Sequence, residues 1–208
     1  MAECLIGGLL TSGHKPSLIH VSEPDESRRN FLSKEYGISC VESNIKLAEK
    51  ADLLLFAVKP QLLKQIAEPL TQAVQVRQPL VLSIAAGVRT TDLEHWLGGT
   101  LAVVRVMPNT PAMVRAGASG LYANHLVNSQ QNNLEESIMR SVGLTVWLEN
   151  EKQMDIVTAL SGSGPAYIFR IIEAMEDAAT RAGLARETSR LLAIETTLGA
   201  ARLAMESD

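Results

Sequence analysis

The 208-residue sequence predicts an α/β fold: a largely parallel sheet interleaved with helices, followed by an all-helical segment. Three observations carry that prediction. Short apolar runs alternate with helical patterns through residue 148. Three of those runs, at 52–58, 79–84 and 101–107, are almost unbroken, as in strands covered on both faces. From Gly164 onward the pattern is helical, with no strand signal.

The chain opens on a helix over 1–10, where Ala2, Leu5, Ile6, Leu9 and Leu10 share a face and Gly13 ends it. Gly7-Gly8 costs roughly 1 kcal/mol per glycine inside a helix, which a close approach by another backbone would explain. A strand at 18–21 leads into a helix over 25–36 that stops at Gly37. A strand at 38–41 and a short helix at 44–50 follow. The strand at 52–58 closes on Lys59-Pro60, and 61–74 is helical with an interruption at Pro69. After the strand at 79–84, Thr90 and Thr91 are suited to cap a helix that stops at Gly98-Gly99. Beyond 101–107, strands at 119–123 and 144–148 flank a helix over 129–141.

Two long helices, 166–182 and 187–205, meet at Gly183 and carry apolar residues on more than one face. Ile168, Phe169, Ile171 and Ile172 in the first, and Leu191, Leu192, Ile194 and Leu198 in the second, predict burial against another subunit. The domain division expected is 1–150 for the sheet and 151–208 for the helices.

Composition narrows the function. Net charge of −4, with no basic cluster, argues against nucleic acid as a partner. No apolar run reaches membrane-spanning length and no charged leader precedes a signal-like segment, so a cytoplasmic protein is expected. Cys4 and Cys40 read as free thiols, and the scattered histidines have no metal-ligand spacing.

In an open parallel sheet, ligands bind beyond the carboxyl ends of the strands. Three such ends carry loops of small residues: Ala57-Val58-Lys59-Pro60, Ala85-Ala86-Gly87 and Met107-Pro108-Asn109-Thr110-Pro111. Lys59 suits a phosphate or ribose, though it reads equally well as a solvated lysine at a strand end. Asn109 and Thr110 are polar side chains held between two prolines. At the junction of the halves, Ser161-Gly162-Ser163-Gly164-Pro165 reads as a hinge with a helix start. Backbone N–H groups at Gly162 and Ser163 would suit a carboxylate. No G-x-S-x-G pattern supports a serine hydrolase.

Four motifs in order, AVKP at 57–60, SIAAGV at 83–88, MPNTP at 107–111 and ALSGSGPAY at 159–167, resemble those of the pyrroline-5-carboxylate reductase family. The resemblance covers the whole chain and implies a Rossmann-type domain followed by a helical dimerisation domain, in a homodimer or higher homo-oligomer. The implied reaction is reduction of the cyclic imine pyrroline-5-carboxylate to L-proline, the last step of proline biosynthesis. The implied cofactor is NADP, with NAD the alternative, and the nicotinamide delivers hydride to the imine carbon. By that resemblance Met1, Ala2, Ser22, Asn44, Ala57, Val58, Lys59, Pro60, Ala85, Ala86, Gly87 and Asn109 contact the cofactor. Glu151, Ser161, Gly162 and Ser163 contact the substrate, with Glu151 on the ring nitrogen.

The chain departs from the family pattern at both ends. A first strand with its G-x-G-N loop is expected before Met1, of which Met1-Ala2 resemble the last residues. A T/S-S-P-G-G-T/A-T loop holding the catalytic-site donors is expected beyond Asp208. The sequence therefore reads as the middle of a reductase, and poor solubility and no activity are expected of these residues alone. Two alternatives stand beside that reading. One is an inactive protein keeping only a subunit-association surface. The other is a 3-hydroxyacid-type dehydrogenase, which would need a lysine that residues 166–182 do not contain.

Overall fold

The apolar runs pair into two sheets in the computed structural model, which describes residues 1–206. The chain forms two compact units, Met1–Gly162 and the residues from Ser163 onward. Within the first, β1 (His20–Ser22) pairs in parallel with β2 (Ser39–Val41). A second sheet has the order β3 (Leu53–Phe56), β4 (Leu80–Ser83), β5 (Val103–Met107), β6 (Gly117–Ala123) and β7 (Gly143–Trp147). Its pairs are parallel except β5 with β6, whose short connection leaves no room for a crossover.

Helices of the first unit are α1 (Ala2–Thr11), α2 (Glu26–Tyr36), α3 (Asn44–Ala48), α4 (Pro60–Ala67), α5 (Thr71–Arg77), α6 (Thr90–Trp96), α7 (Ser129–Arg140) and α8 (Gln153–Val157). Several ends follow local chemistry. The Asp25 side chain accepts from the Arg28 N–H at 2.8 Å to start α2, and Gly37 ends it at φ 66°. Asn128 and Gln131 cap α7 reciprocally. Pro69 separates α4 from α5 by one tight turn, as expected.

The five-stranded sheet is covered on both faces. Leu63 and Ala67 of α4, Val74 of α5 and Leu93 of α6 pack on Leu54, Phe56, Val81 and Val103. On the other face Leu5 of α1 and Met139 of α7 pack on Leu80, Leu82, Val104 and Leu121. Each of these buried leucines contributes about 1.5–3 kcal/mol. Helix α1 serves both sheets: Leu5 joins this core while its neighbour Ile6 packs with Leu32 of α2 and Ile38 beside β1 and β2.

The close approach expected at Gly7-Gly8 belongs to Gly8 alone. A Cβ there would meet Val142 Cγ1 at 2.7 Å and the Ser141 carbonyl at 2.9 Å, whereas at Gly7 the nearest atom is 3.9 Å away.

Some boundaries and roles differ from the sequence expectation. The strand expected at 18–21 begins at His20, because Pro16 starts a tight turn through Leu18. Both β4 and β5 are deeply buried, but β3 alternates: Leu54 and Phe56 are buried, Leu53 and Leu55 half-buried. Thr90 and Thr91 do not cap α6. Arg89 occupies the cap position, and Thr90, the first helical residue, bonds instead to a distant carboxylate. The stretch expected as a hinge with a helix start holds the boundary between the units, after Gly162, and a helix starts at Gly164, but a π-helical turn over Thr158–Gly162 precedes it.

The second unit is a helical hairpin of α9 (Gly164–Arg181) and α10 (Arg186–Glu206), turning at Gly183 with φ 107°. Small residues on α10, Ser189 and Ala193, are buried in its packing. Glu176, also buried, accepts from Arg186 Nε at 2.9 Å. Phe169, Ile171, Leu191, Leu192 and Leu198 are exposed, while Ile172 is half-buried. No helix among the described residues is long and apolar enough to cross a membrane.

Candidate functional site

The carboxyl ends of β3 and β4 lie side by side, in register Phe56 with Ser83, and the Ile84 N–H donates to the Phe56 carbonyl at 3.2 Å. Their pairing brings together the loops 57–60 and 85–87. Ala57 and Val58 are half-buried, Lys59 is exposed, and Pro60 opens α4. Ala85 is buried beneath the exposed Ala86 and Gly87. Gly87 has φ 78° and open space around the position a Cβ would take. That combination, a left-handed turn with nothing above it, lets a ligand approach the backbone closely.

On the smaller sheet, Ser22 Oγ donates to the Glu42 carbonyl at 3.2 Å and the Glu23 N–H to the Val41 carbonyl at 3.0 Å. Asn44 follows, exposed, as the first residue of α3. It lines a cleft of about 420 Å³ with Ser43, Leu62, Gln65 and Ile66, between α3 and α4. Met1 and Ala2 are exposed at the start of α1. No strand pairing joins the ends of β1 and β2 to those of β3 and β4.

Two motifs distant in sequence meet at Asn109. It is buried, its Nδ2 donating to the Ser161 carbonyl at 3.1 Å and its Oδ1 accepting from the Ala118 N–H at 2.9 Å. Gly162 packs so close to Met107 that a Cβ would lie 2.6 Å from its methyl carbon. The Ser161 hydroxyl donates to the Val157 carbonyl at 3.2 Å, inside the π-helical turn. Such turns recur at functional sites because they displace one backbone carbonyl from the regular ladder. Thr110 is exposed beside this junction. Ser163 begins the second unit, at the cap of α9.

Glu151 lies among protein donors. Its Oε1 accepts from the Thr90 N–H at 2.8 Å and from Arg105 Nη1 at 3.3 Å, and its Oε2 from the Thr90 hydroxyl at 3.1 Å. Sequence reasoning missed the other two members. Arg105 stands inside an apolar run and is 5% exposed, and a buried guanidinium requires a carboxylate. That requirement was the available signal; it did not say which carboxylate.

The arginines after β1 are also held. Arg28 pairs with Glu3 and lies over the Phe31 ring at 5.1 Å. Arg29 Nη1 donates to the Glu23 and Pro24 carbonyls at 2.8 and 2.7 Å. Hydrogen bonds from Arg28 and Tyr36 hold the Glu3 carboxyl below the usual carboxylate range. On α7, Glu135 is fully buried with neither carboxylate oxygen hydrogen-bonded, and burial, with Glu136 beside it, pushes its pKa up to about 8. Cys4 and Cys40 are free, and no group of three potential metal ligands exists among the described residues.

Comparison with known proteins places this architecture. A family model described as pyrroline-5-carboxylate reductase dimerisation matches residues 151–208. One described as NADP oxidoreductase, coenzyme F420-dependent, matches residues 1–87. A pyrroline-5-carboxylate reductase of Pseudomonas aeruginosa is 45% identical over 208 residues, all of this chain and 76% of the relative. The structure of a pyrroline-5-carboxylate reductase from Coxiella burnetii superposes with TM-score 0.95 at 44% identity, covering all of this chain and 77% of that one. A Plasmodium falciparum pyrroline carboxylate reductase, solved with NADP bound, gives TM-score 0.87 at 31% identity over 99% of this chain and 75% of its own. The mostly parallel sheet is thus Rossmann-like and the helices after it form a dimerisation segment. On that identity across its whole length, the chain belongs to the pyrroline-5-carboxylate reductase family.

Proposed function

We propose that the protein reduces pyrroline-5-carboxylate to L-proline with NADPH, the last step of proline biosynthesis, as a cytoplasmic homodimer or larger homo-oligomer. The observation that carries this reading is the 45% identity to a reductase of that name along the entire chain. The strand-end loops suit a dinucleotide. Gly87 has no atom within 4 Å of a would-be Cβ, and Ala86 and Lys59 are exposed beside it. When bound, the nicotinamide supplies the hydride.

The residues proposed for the cofactor have distinct tasks. Ala57, Val58, Ala85, Ala86 and Gly87 admit the dinucleotide to the backbone, Lys59 supplies positive charge, Asn44 donates a hydrogen bond, and the Ser22 hydroxyl oxygen, its proton on the Glu42 carbonyl, accepts one. Pro60, Met1 and Ala2 border the seat, and Asn109 positions the π-helical turn from beneath. Ser161, Gly162 and Ser163 are proposed to meet the substrate carboxylate.

NADPH is preferred to NADH in this proposal for two reasons. The Plasmodium falciparum relative was solved with NADP. Here, Glu23 turns its Oε1 onto the Asp25 N–H at 3.1 Å, while Arg28, paired with Glu3 but 43% exposed, follows β1 in sequence as a candidate for a 2′-phosphate. The apolar exposed helices α9 and α10 support self-association.

Imine-dependent oxidation of NADPH by the full-length protein, with proline as product, tests the reading. Absence of turnover with pyrroline-5-carboxylate overturns it. A lower Michaelis constant for NADH than for NADPH overturns the cofactor preference alone.

A further inference from the structure

Glu151 fastens the first turn of α6, 61 positions earlier in the chain, through two bonds to Thr90. Its other partner, Arg105, belongs to the row Phe56–Ser83–Arg105, which crosses the carboxyl ends of β3 and β4 and the middle of β5. The cluster is therefore anchored on the sheet. Three of the roughly four acceptor sites of a carboxylate are taken, and the side chain is only 17% exposed.

Between β4 and Thr90 runs the loop carrying Ala86 and Gly87. Its near end is fixed by the strand and by the Ala85 N–H bonded to Ser83 Oγ at 3.3 Å. Its far end is held by the buried Val88 and by hydrogen bonds from the Arg89 N–H to Asp92 Oδ2 at 3.2 Å, from the Leu93 N–H to the Arg89 carbonyl at 3.2 Å, and from Thr90 to Glu151. Of these hydrogen bonds, those to Glu151 are the ones that reach outside the loop and its own helix. We propose that Glu151 is a positioning residue for the dinucleotide, clamping Thr90 so that Ala86 and Gly87 are preorganised for the cofactor. The inference rests on reading the strand-end loops as the cofactor seat. It replaces contact of Glu151 with the substrate ring nitrogen.

The physical basis is the cost of ordering a loop on binding. A loop held in its bound conformation beforehand binds more tightly without any new contact to the ligand. Bonds to an ionised carboxylate are about twice as strong as neutral ones, so they suit this purpose.

Glu151→Gln, Thr90→Val and the double variant of the intact protein test it. The readouts are calorimetric NADPH binding, hydrogen exchange of residues 85–90 without ligand, and imine kinetics at saturating NADPH. Each single variant is expected to raise the Kd for NADPH roughly tenfold and to speed exchange at 85–90. The double variant is expected to add little, since both changes weaken one tie. The KM for the imine is expected to stay within about twofold. A raised imine KM with NADPH affinity intact overturns the proposal in favour of substrate contact. Unchanged exchange and Kd overturn it outright. Thr90→Val removes the hydroxyl bond alone and keeps both the backbone bond to Glu151 and the Glu151–Arg105 pair, so a raised Kd and faster exchange in it support the proposal, and their absence overturns it, even if Glu151→Gln fails to fold. Failure of the wild-type protein to bind NADPH defeats the cofactor reading itself, a result distinct from any variant effect.

Discussion

The carboxamide of Asn109 bridges to the Ser161 carbonyl, 52 positions away, while its oxygen takes the Ala118 N–H. One buried side chain thus ties the loop after β5, strand β6 and the π-helical turn. Asn109→Leu removes both bonds and leaves the Ala118 N–H without its partner. It is expected to cost about 1–3 kcal/mol, read as a lower urea midpoint. A midpoint equal to wild type would show that the bridge contributes nothing to stability.

Glu135 makes stability depend on pH in a defined direction. Its folded pKa of about 8 exceeds the ordinary 4.5, so between those values the folded state binds more protons than the unfolded. Stability from this group is therefore unpenalised below pH 4.5, falls as pH rises through 8, and is lowest above it. The penalty is on the order of a few kcal/mol. Glu135→Gln is expected to match wild type near pH 4.5 and to melt higher at pH 9, by about 2–4 °C for each kcal/mol relieved. Parallel melting curves across that range would contradict the buried, unpaired carboxyl.

Adjacent glycines in α1 are expected to respond oppositely to alanine. At Gly7 the added methyl finds ordinary contact with Tyr36, and helix propensity favours the change by up to about 1 kcal/mol. At Gly8 it strikes Val142 and the Ser141 carbonyl, and the variant is expected to lose about 1–3 kcal/mol. Denaturant titration of both variants measures the difference. Equal shifts for the two would mean that α1 does not pack on the 141–142 turn as described.

The sequence by itself determined the alternation of strands and helices, the interruption at Pro69, and the ends of α2 at Asp25 and Gly37. These depend on residues within one or two turns of each other, so the information is local. It also located the strand-end loops 57–60 and 85–87, because small residues after apolar runs are a local pattern. Only the tertiary structure decided that Thr90 bonds to Glu151 rather than capping α6 itself, and that Arg105 shares that carboxylate. It alone separated Gly8 from Gly7 and left Glu135 buried without a partner. A hydrogen bond or a close contact between distant segments depends on which elements lie adjacent, and adjacency across 46 or 61 positions leaves no pattern around either partner. A polar residue in an apolar run states that a partner must exist; the packing of the sheet selects which one.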